Sequence, residues 1–168
     1  MVSEEQIWGS LRDALKRSNC LKTQVSAGLV KNGKIVSIGV NLCAPNPYKY
    51  GDRLDDCPRI NVKTGTSYEL CSGIHSEVIA CLNVRAHRNS REIGGFAAYK
   101  TVSDTAIHSA FTAKELDVLR GAKLYLAGHY WVCDSCVNFL KAVGIIDIVF
   151  DSQSGEITKR FYTEKKLG

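Results

Sequence analysis

The sequence predicts an α/β fold built as a mixed sheet flanked by helices. A hairpin signal stands early in the chain, where Asn32-Gly33 separates two runs rich in β-formers. Apolar residues recur at helical spacing before and after it. From Lys123 to Phe150 a strand pattern, a helix pattern and a second strand pattern follow one another, which with the hairpin suggests the mixed sheet.

Residues from about Ser3 to Arg17 read as an amphipathic helix, because Ile7, Leu11, Ala14 and Leu15 share one face. Ser3 with Gln6 forms a capping-box pattern at its start. The strands "TQVSAGLV" and "KIVSIGVNL" flank the turn "KNG". Cys43 to Gly73 is then a long polar stretch holding all three prolines and three of the cysteines. Irregular stretches of that length are functional or tied down. A helix opens near His75, with Val78, Ile79 and Leu82 at helical spacing. Residues 88 to 118 lack a clean period until "TAKELDVLRG", a short helix ending at Gly121. The strand "KLYLAG", a loop, a helix from Cys133 to Val143 and the strand "IIDIVF" follow. The tail "DSQSGEITKRFYTEKKLG" reads as a further hairpin strand. No repeat or low-complexity segment interrupts this order.

The 168 residues suit one domain spanning 1–168, with 45% hydrophobic and 23% charged positions. No apolar run approaches the roughly 20 residues that cross a bilayer. The start "MVSEEQIW" is acidic and unlike a secretory leader, so a cytoplasmic location is expected. Seven cysteines, an odd number scattered among regular elements, do not resemble a secreted disulfide framework. They point to buried thiols or metal ligands. The net charge of +5 suits a phosphate-bearing ligand without choosing among them. The basic residues are spread along the chain and form no concentrated stripe, which argues against stable nucleic-acid binding.

Two fragments carry chemistry. "CSGIHSEVIACLN" sets His75 and Glu77 at the start of one helix, and "GHYWVCDSCVNFL" sets Cys133 and Cys136 at the start of another. Each pair alone arises easily by chance. Together they supply one imidazole and two thiolates, three zinc ligands that leave the fourth tetrahedral corner open. A helix N-terminus favours thiolate there. Water at the open corner would become acidic, and Glu77 would face it as the group that moves its proton. The alternatives at this point are a redox pair at Cys133 and Cys136, a structural zinc with no use for Glu77, or plain packing.

These residues resemble the cytidine deaminase superfamily, and within it the deoxycytidylate (dCMP) deaminase branch. His-x-Glu with a later Cys-x-x-Cys is the signature of zinc nucleobase deaminases. "KNGKIVSIGVN" looks like that branch's hairpin, and "CPR…GTSYELCSGIHSE" resembles its approach to the histidine. "LYLAGHYWVCDSCVNFLKAVGI" follows its strand, zinc loop and helix. The resemblance covers most of residues 1–87 and 119–150. It implies a three-layer α-β-α sandwich around a mixed five-stranded sheet. It also implies catalytic zinc on His75, Cys133 and Cys136, with Glu77 as proton shuttle. Asn41 would contact the sugar, the Ser76 backbone the pyrimidine carbonyl, and the Trp131 carbonyl the leaving amine. The reaction implied is hydrolytic deamination of a cytosine mononucleotide, dCMP to dUMP, with release of ammonia. A homo-oligomer and regulation by dCTP and dTTP belong to the same family picture. Three departures stand out: Ser76 replaces the usual alanine and Val132 the usual proline, and residues 88–118 are longer than a simple link. They leave other substrates open: a free nucleoside, a modified nucleotide, a purine base, or a base in tRNA or single-stranded DNA.

Cys20, Cys43, Cys57 and Cys71 remain. Some members of the branch hold a second, structural zinc, and Cys20, Cys57 and Cys71 are its candidate ligands here; buried thiols are the alternative. Lys49, Arg53, Arg59 and Lys63 are candidates to meet a 5′-phosphate, against ordinary surface charge. His129, Tyr130 and Trp131 flank the zinc loop where a base could stack, with ordinary core burial the alternative for Trp131, while Cys81 reads as core. His87 and His108 carry no signal.

Overall fold

The computed structural model describes residues 1–43, 57–63, 71, 73–85, 110–129 and 131–152. Helix α1 spans Glu4–Ala14 and runs into a 3-10 turn at Leu15–Arg17. Its start carries the expected box: Gln6 N–H donates to Ser3 Oγ at 3.1 Å, and Ser3 N–H donates to Gln6 Oε1 at 2.8 Å. Strands β1 (Ser26–Lys31) and β2 (Lys34–Val40) form the antiparallel hairpin. Asn32 and Gly33 both take positive φ, 52° and 71°, as a tight hairpin turn requires.

After the hairpin come α2 (Ser76–Leu82), α3 (Ala113–Leu119), β3 (Lys123–Ala127), α4 (Asp134–Ala142) and β4 (Asp147–Phe150). The sheet order is β2-β1-β3-β4. β3 lies antiparallel to β1 and parallel to β4, so the sheet is mixed as expected. Four strands and four α-helices are present among the described residues. The fifth strand, expected in the tail from Asp151, falls beyond Ser152 and so outside them, as do His87, His108 and Tyr130.

Side chains alternate between two hydrophobic clusters because successive strand residues point to opposite faces. Leu29, Leu124 and Leu126 join the larger cluster with Ile74, Val78, Ile79 and Phe139. Val30, Ile38 and Tyr125 pack with Ile7, Trp8 and Leu11 of α1. Leu11 is fully buried, worth roughly 1.5–3 kcal/mol over an exposed position. Trp8 meets Tyr125 edge-on at 5.2 Å between ring centroids. No described helix is long and apolar enough to cross a membrane.

Two contacts place α2. Leu42 and Ile74 exchange backbone hydrogen bonds of 3.1 and 2.8 Å, which anchors the chain just before His75 to the end of β2. Gly39 of β2 then allows a close approach: a Cβ there would lie 2.3 Å from the Ala80 nitrogen. The helix therefore rests directly on the strand backbone.

Candidate metal centre

His75 is the N-cap of α2 and Cys133 the N-cap of α4, with nearly the same extended backbone: φ −70°, ψ 153° and φ −69°, ψ 157°. Each carbonyl accepts the first helical hydrogen bond, from Ile79 N–H at 3.1 Å and Val137 N–H at 3.0 Å. Neither side chain caps its own helix, so each projects beyond the helix start. Cys136, one turn into α4, turns back toward the same point and is fully buried.

The three meet. His75 Nδ1 lies 3.5 Å from Cys133 Sγ and 3.4 Å from Cys136 Sγ. All three ligand atoms fall within 4.8 Å of one another, the one such trio of His, Cys, Asp or Glu found among the described residues. Zinc bonds of about 2.3 Å to sulfur and about 2.0 Å to nitrogen at a tetrahedral angle place N and S about 3.5 Å apart. The donor set and its spacing fit that ion.

Electrostatics follow from the crowding. A hydrogen bond with Cys136 and the neighbouring imidazole together outweigh burial and bring the Cys133 thiol down to about 4. Burial alone would lower His75, but its bonds to Cys133 and Cys71 and the charge of Glu77 raise it to about 10. Glu77 is only 4% exposed. Burial raises its carboxyl against the opposing pull of His75 and His129, with Cys133 adding to the rise. Ser76 Oγ donates to Glu77 Oε2 at 3.1 Å.

Around this group opens a pocket whose wall includes Asn41, Ser76, Glu77, His129, Trp131 and Cys133. Asn41 is heavily used by the fold. Its Oδ1 accepts from Ser18 Oγ at 2.5 Å and Val25 N–H at 2.9 Å, and its Nδ2 donates to Thr23 O at 2.7 Å. One amide hydrogen remains by count. The Trp131 carbonyl accepts from His129 Nδ1 at 2.6 Å, which places the proton on that nitrogen, since a carbonyl cannot donate. The sequence pattern offered no sign of either arrangement, because both depend on loops folding back.

Arg59 is 8% exposed and lines the same pocket. Lys22, which sequence reasoning passed over, also lines it and donates to the carbonyls of Arg59 (2.6 Å) and Val62. That clamp pins the turn at 57–62, where Ile60 N–H bonds Cys57 O and Val62 N–H bonds Arg59 O. Lys63 is exposed, and Lys49 and Arg53 lie outside the described residues.

The remaining thiols gather loosely. Cys20, Cys57 and Cys71 do not form a trio with ligand atoms within 4.8 Å of one another. Cys20 instead hydrogen-bonds Cys43, which brings it down to about 5 and holds Cys43 well above the ordinary thiol range. Asn19 sets this pair, because its amide bonds both the N–H and the carbonyl of Cys43 at 2.7 Å. Cys43 and Cys71 both crowd Gly73, at 2.9 and 3.3 Å from where its Cβ would stand. Burial pushes Cys71 up, but hydrogen bonds with His75 and the Gly73 N–H bring it below the usual range. Cys43 joins the neighbourhood only because β2 ends beside residue 19. Cys81 is fully buried core, as expected.

No protein-family model matches the chain, and no curated protein sequence matches it. Among solved structures, the chain is similar to the dCMP deaminase of the cyanophage S-TIM5 in complex with dCMP and dUMP. The match has a TM-score of 0.52 and 17% identity over 100% of this chain and 96% of that one. The apo form of the same enzyme matches with a TM-score of 0.49 and 16% identity over 95% and 94%. With identity this low, likeness speaks for architecture alone: the chain shares the fold of that dCMP deaminase.

Proposed function

We propose that the protein is a zinc-dependent hydrolytic deaminase converting a cytosine deoxymononucleotide, dCMP to dUMP, with release of ammonia. The observation that carries this reading is the convergence of His75, Cys133 and Cys136 within 4.8 Å, with Glu77 buried in the wall of the same pocket. A structural zinc would not call for that carboxyl, and a redox pair would not call for His75. The shared fold with an enzyme crystallised with dCMP and dUMP supports the substrate class.

Zinc held by these three residues would supply a water acidic enough to attack near neutral pH. Glu77 would take that proton and deliver it to N3 of the pyrimidine. It would then take the proton of the hydroxyl added at C4 and pass it to the departing amine, leaving the C4 carbonyl. The Ser76 backbone meets the pyrimidine carbonyl, and the Trp131 carbonyl orients the leaving amine. Asn41 has one amide hydrogen to offer a sugar oxygen. Arg59 and Lys22 on the pocket wall supply positive charge for the 5′-phosphate. In the same reading Cys20, Cys57 and Cys71, joined by Cys43, hold a second, structural zinc. Its support is four thiols drawn from separated segments, with charge coupling among them; binding would draw them together. Metal analysis of the purified protein is expected to give two zinc ions per chain, and one per chain removes the second site.

Ammonia release from dCMP, CMP, deoxycytidine, guanine and a single-stranded oligonucleotide tests the function. dCMP is expected to be turned over fastest. Release from the nucleoside, from guanine or from the oligonucleotide alone would replace the proposed substrate, and release from none would remove the enzymatic reading.

A further inference from the structure

Resting on that functional reading, we propose that the Ser76 hydroxyl is a positioning group for the Glu77 carboxylate. The hydroxyl is fully buried and the carboxylate nearly so, at 4% exposure. Oγ donates to Oε2 at 3.1 Å. A buried hydroxyl has to spend its hydrogen on an acceptor inside the protein, and here that acceptor belongs to the group that moves the proton. The hydroxyl thus holds the side chain at the first turn of α2.

The pocket explains the need: Glu77 lines it together with His75, His129 and Cys133. Proton transfer requires the carboxylate within hydrogen-bond reach of two successive partners. Alanine at position 76 would keep the backbone contact to the pyrimidine and lose this restraint. Ser76 therefore acts through Glu77 and need not touch the reacting atoms.

The test compares S76A and S76G, which lack the hydroxyl, with S76T, which keeps it. In the zinc-loaded enzyme, S76A and S76G are expected to lose about 3–10-fold in kcat. KM should stay within about twofold, metal content should be unchanged, and S76T should recover much of the loss. Unchanged kcat in both hydroxyl-less variants, or a loss confined to KM, would overturn the proposal. If S76T does not fold, the two smaller variants decide alone. Crystal structures of zinc-loaded wild type and S76A give a readout independent of turnover. Glu77 is expected in one orientation in the first and displaced or split in the second; an identical carboxylate in both would overturn the proposal. An inactive wild type would sink the functional reading, and the crystal structures would still judge Ser76.

Discussion

Glu77 and His75 carry the sharpest consequences of burial in this molecule. Replacing Glu77 with glutamine preserves size and leaves His75, Cys133 and Cys136 in place, but removes the carboxylate that the proposed mechanism uses to accept a proton. E77Q is expected to bind zinc normally and lose about 100-fold or more in ammonia release; retained turnover with full metal content would refute the shuttle role. His75 makes a separate prediction for the metal-free protein. Its pKa is raised from 6.5 to about 10, so its contribution to stability is complete below 6.5 and lost as pH rises through about 10. Cys133 is lowered from 9.0 to about 4, so its contribution is complete above 9.0 and lost as pH falls through about 4. The thermal midpoint of the apo protein should therefore fall toward both ends of that range. Zinc binds neutral imidazole, so uptake at pH 7 should expel the His75 proton. Calorimetric titration in buffers of different ionisation enthalpy measures it, and a buffer-independent heat would contradict the assignment. At this scale the sequence was highly informative: the four residues were legible from residue type and spacing. The Ser76 hydroxyl bond was not, because a rotamer decides it.

The elements decide whether those residues meet. α2 is held by the Leu42–Ile74 bridge before it and by the bare backbone of Gly39 beneath it. A methyl at Gly39 would sit 2.3 Å from Ala80 N and 2.7 Å from Ile79 C, both backbone atoms that cannot swing aside. G39A is expected to cost about 1–3 kcal/mol in stability. It should also lower zinc affinity, because the shifted helix carries His75 away from Cys133. Chemical denaturation and metal titration check this; an unchanged affinity would mean α2 is held elsewhere. The hairpin was legible from Asn32-Gly33 because positive φ at two successive positions is a local demand. Helix starts were legible for the same local reason: Ser3 with Gln6 announces α1, and the observed N-caps His75 and Cys133 lie where the apolar period begins. Gly39 was silent in the sequence, since a close approach is a property of two elements together.

Across the whole molecule, Arg12 of α1 joins Asp151 after β4 by two hydrogen bonds, Nε to Oδ2 at 2.8 Å and Nη2 to Oδ1 at 2.6 Å. They link residues 139 positions apart, and Asp151 is only 4% exposed. Arg12→Ala removes these two hydrogen bonds to a buried carboxylate and should lower the thermal midpoint by a few degrees. Zinc content should not change, because the pair lies across the sheet from the metal centre; a loss of metal would show that α1 also supports the site. By itself the sequence determined the mixed α/β class, the element order and the choice of His75, Cys133 and Cys136 as a trio that converges, because periodicity, turn chemistry and ligand spacing are short-range properties written into neighbouring residues. Tertiary structure alone decided that Cys43 pairs with Cys20, that Asn41 is bound into the start of β1, and that His129 takes the Trp131 carbonyl. The first two depend on how distant segments pack, and the third on the conformation of one loop, so none is written into neighbouring residue types; the free energy that selects them is shared over the whole core.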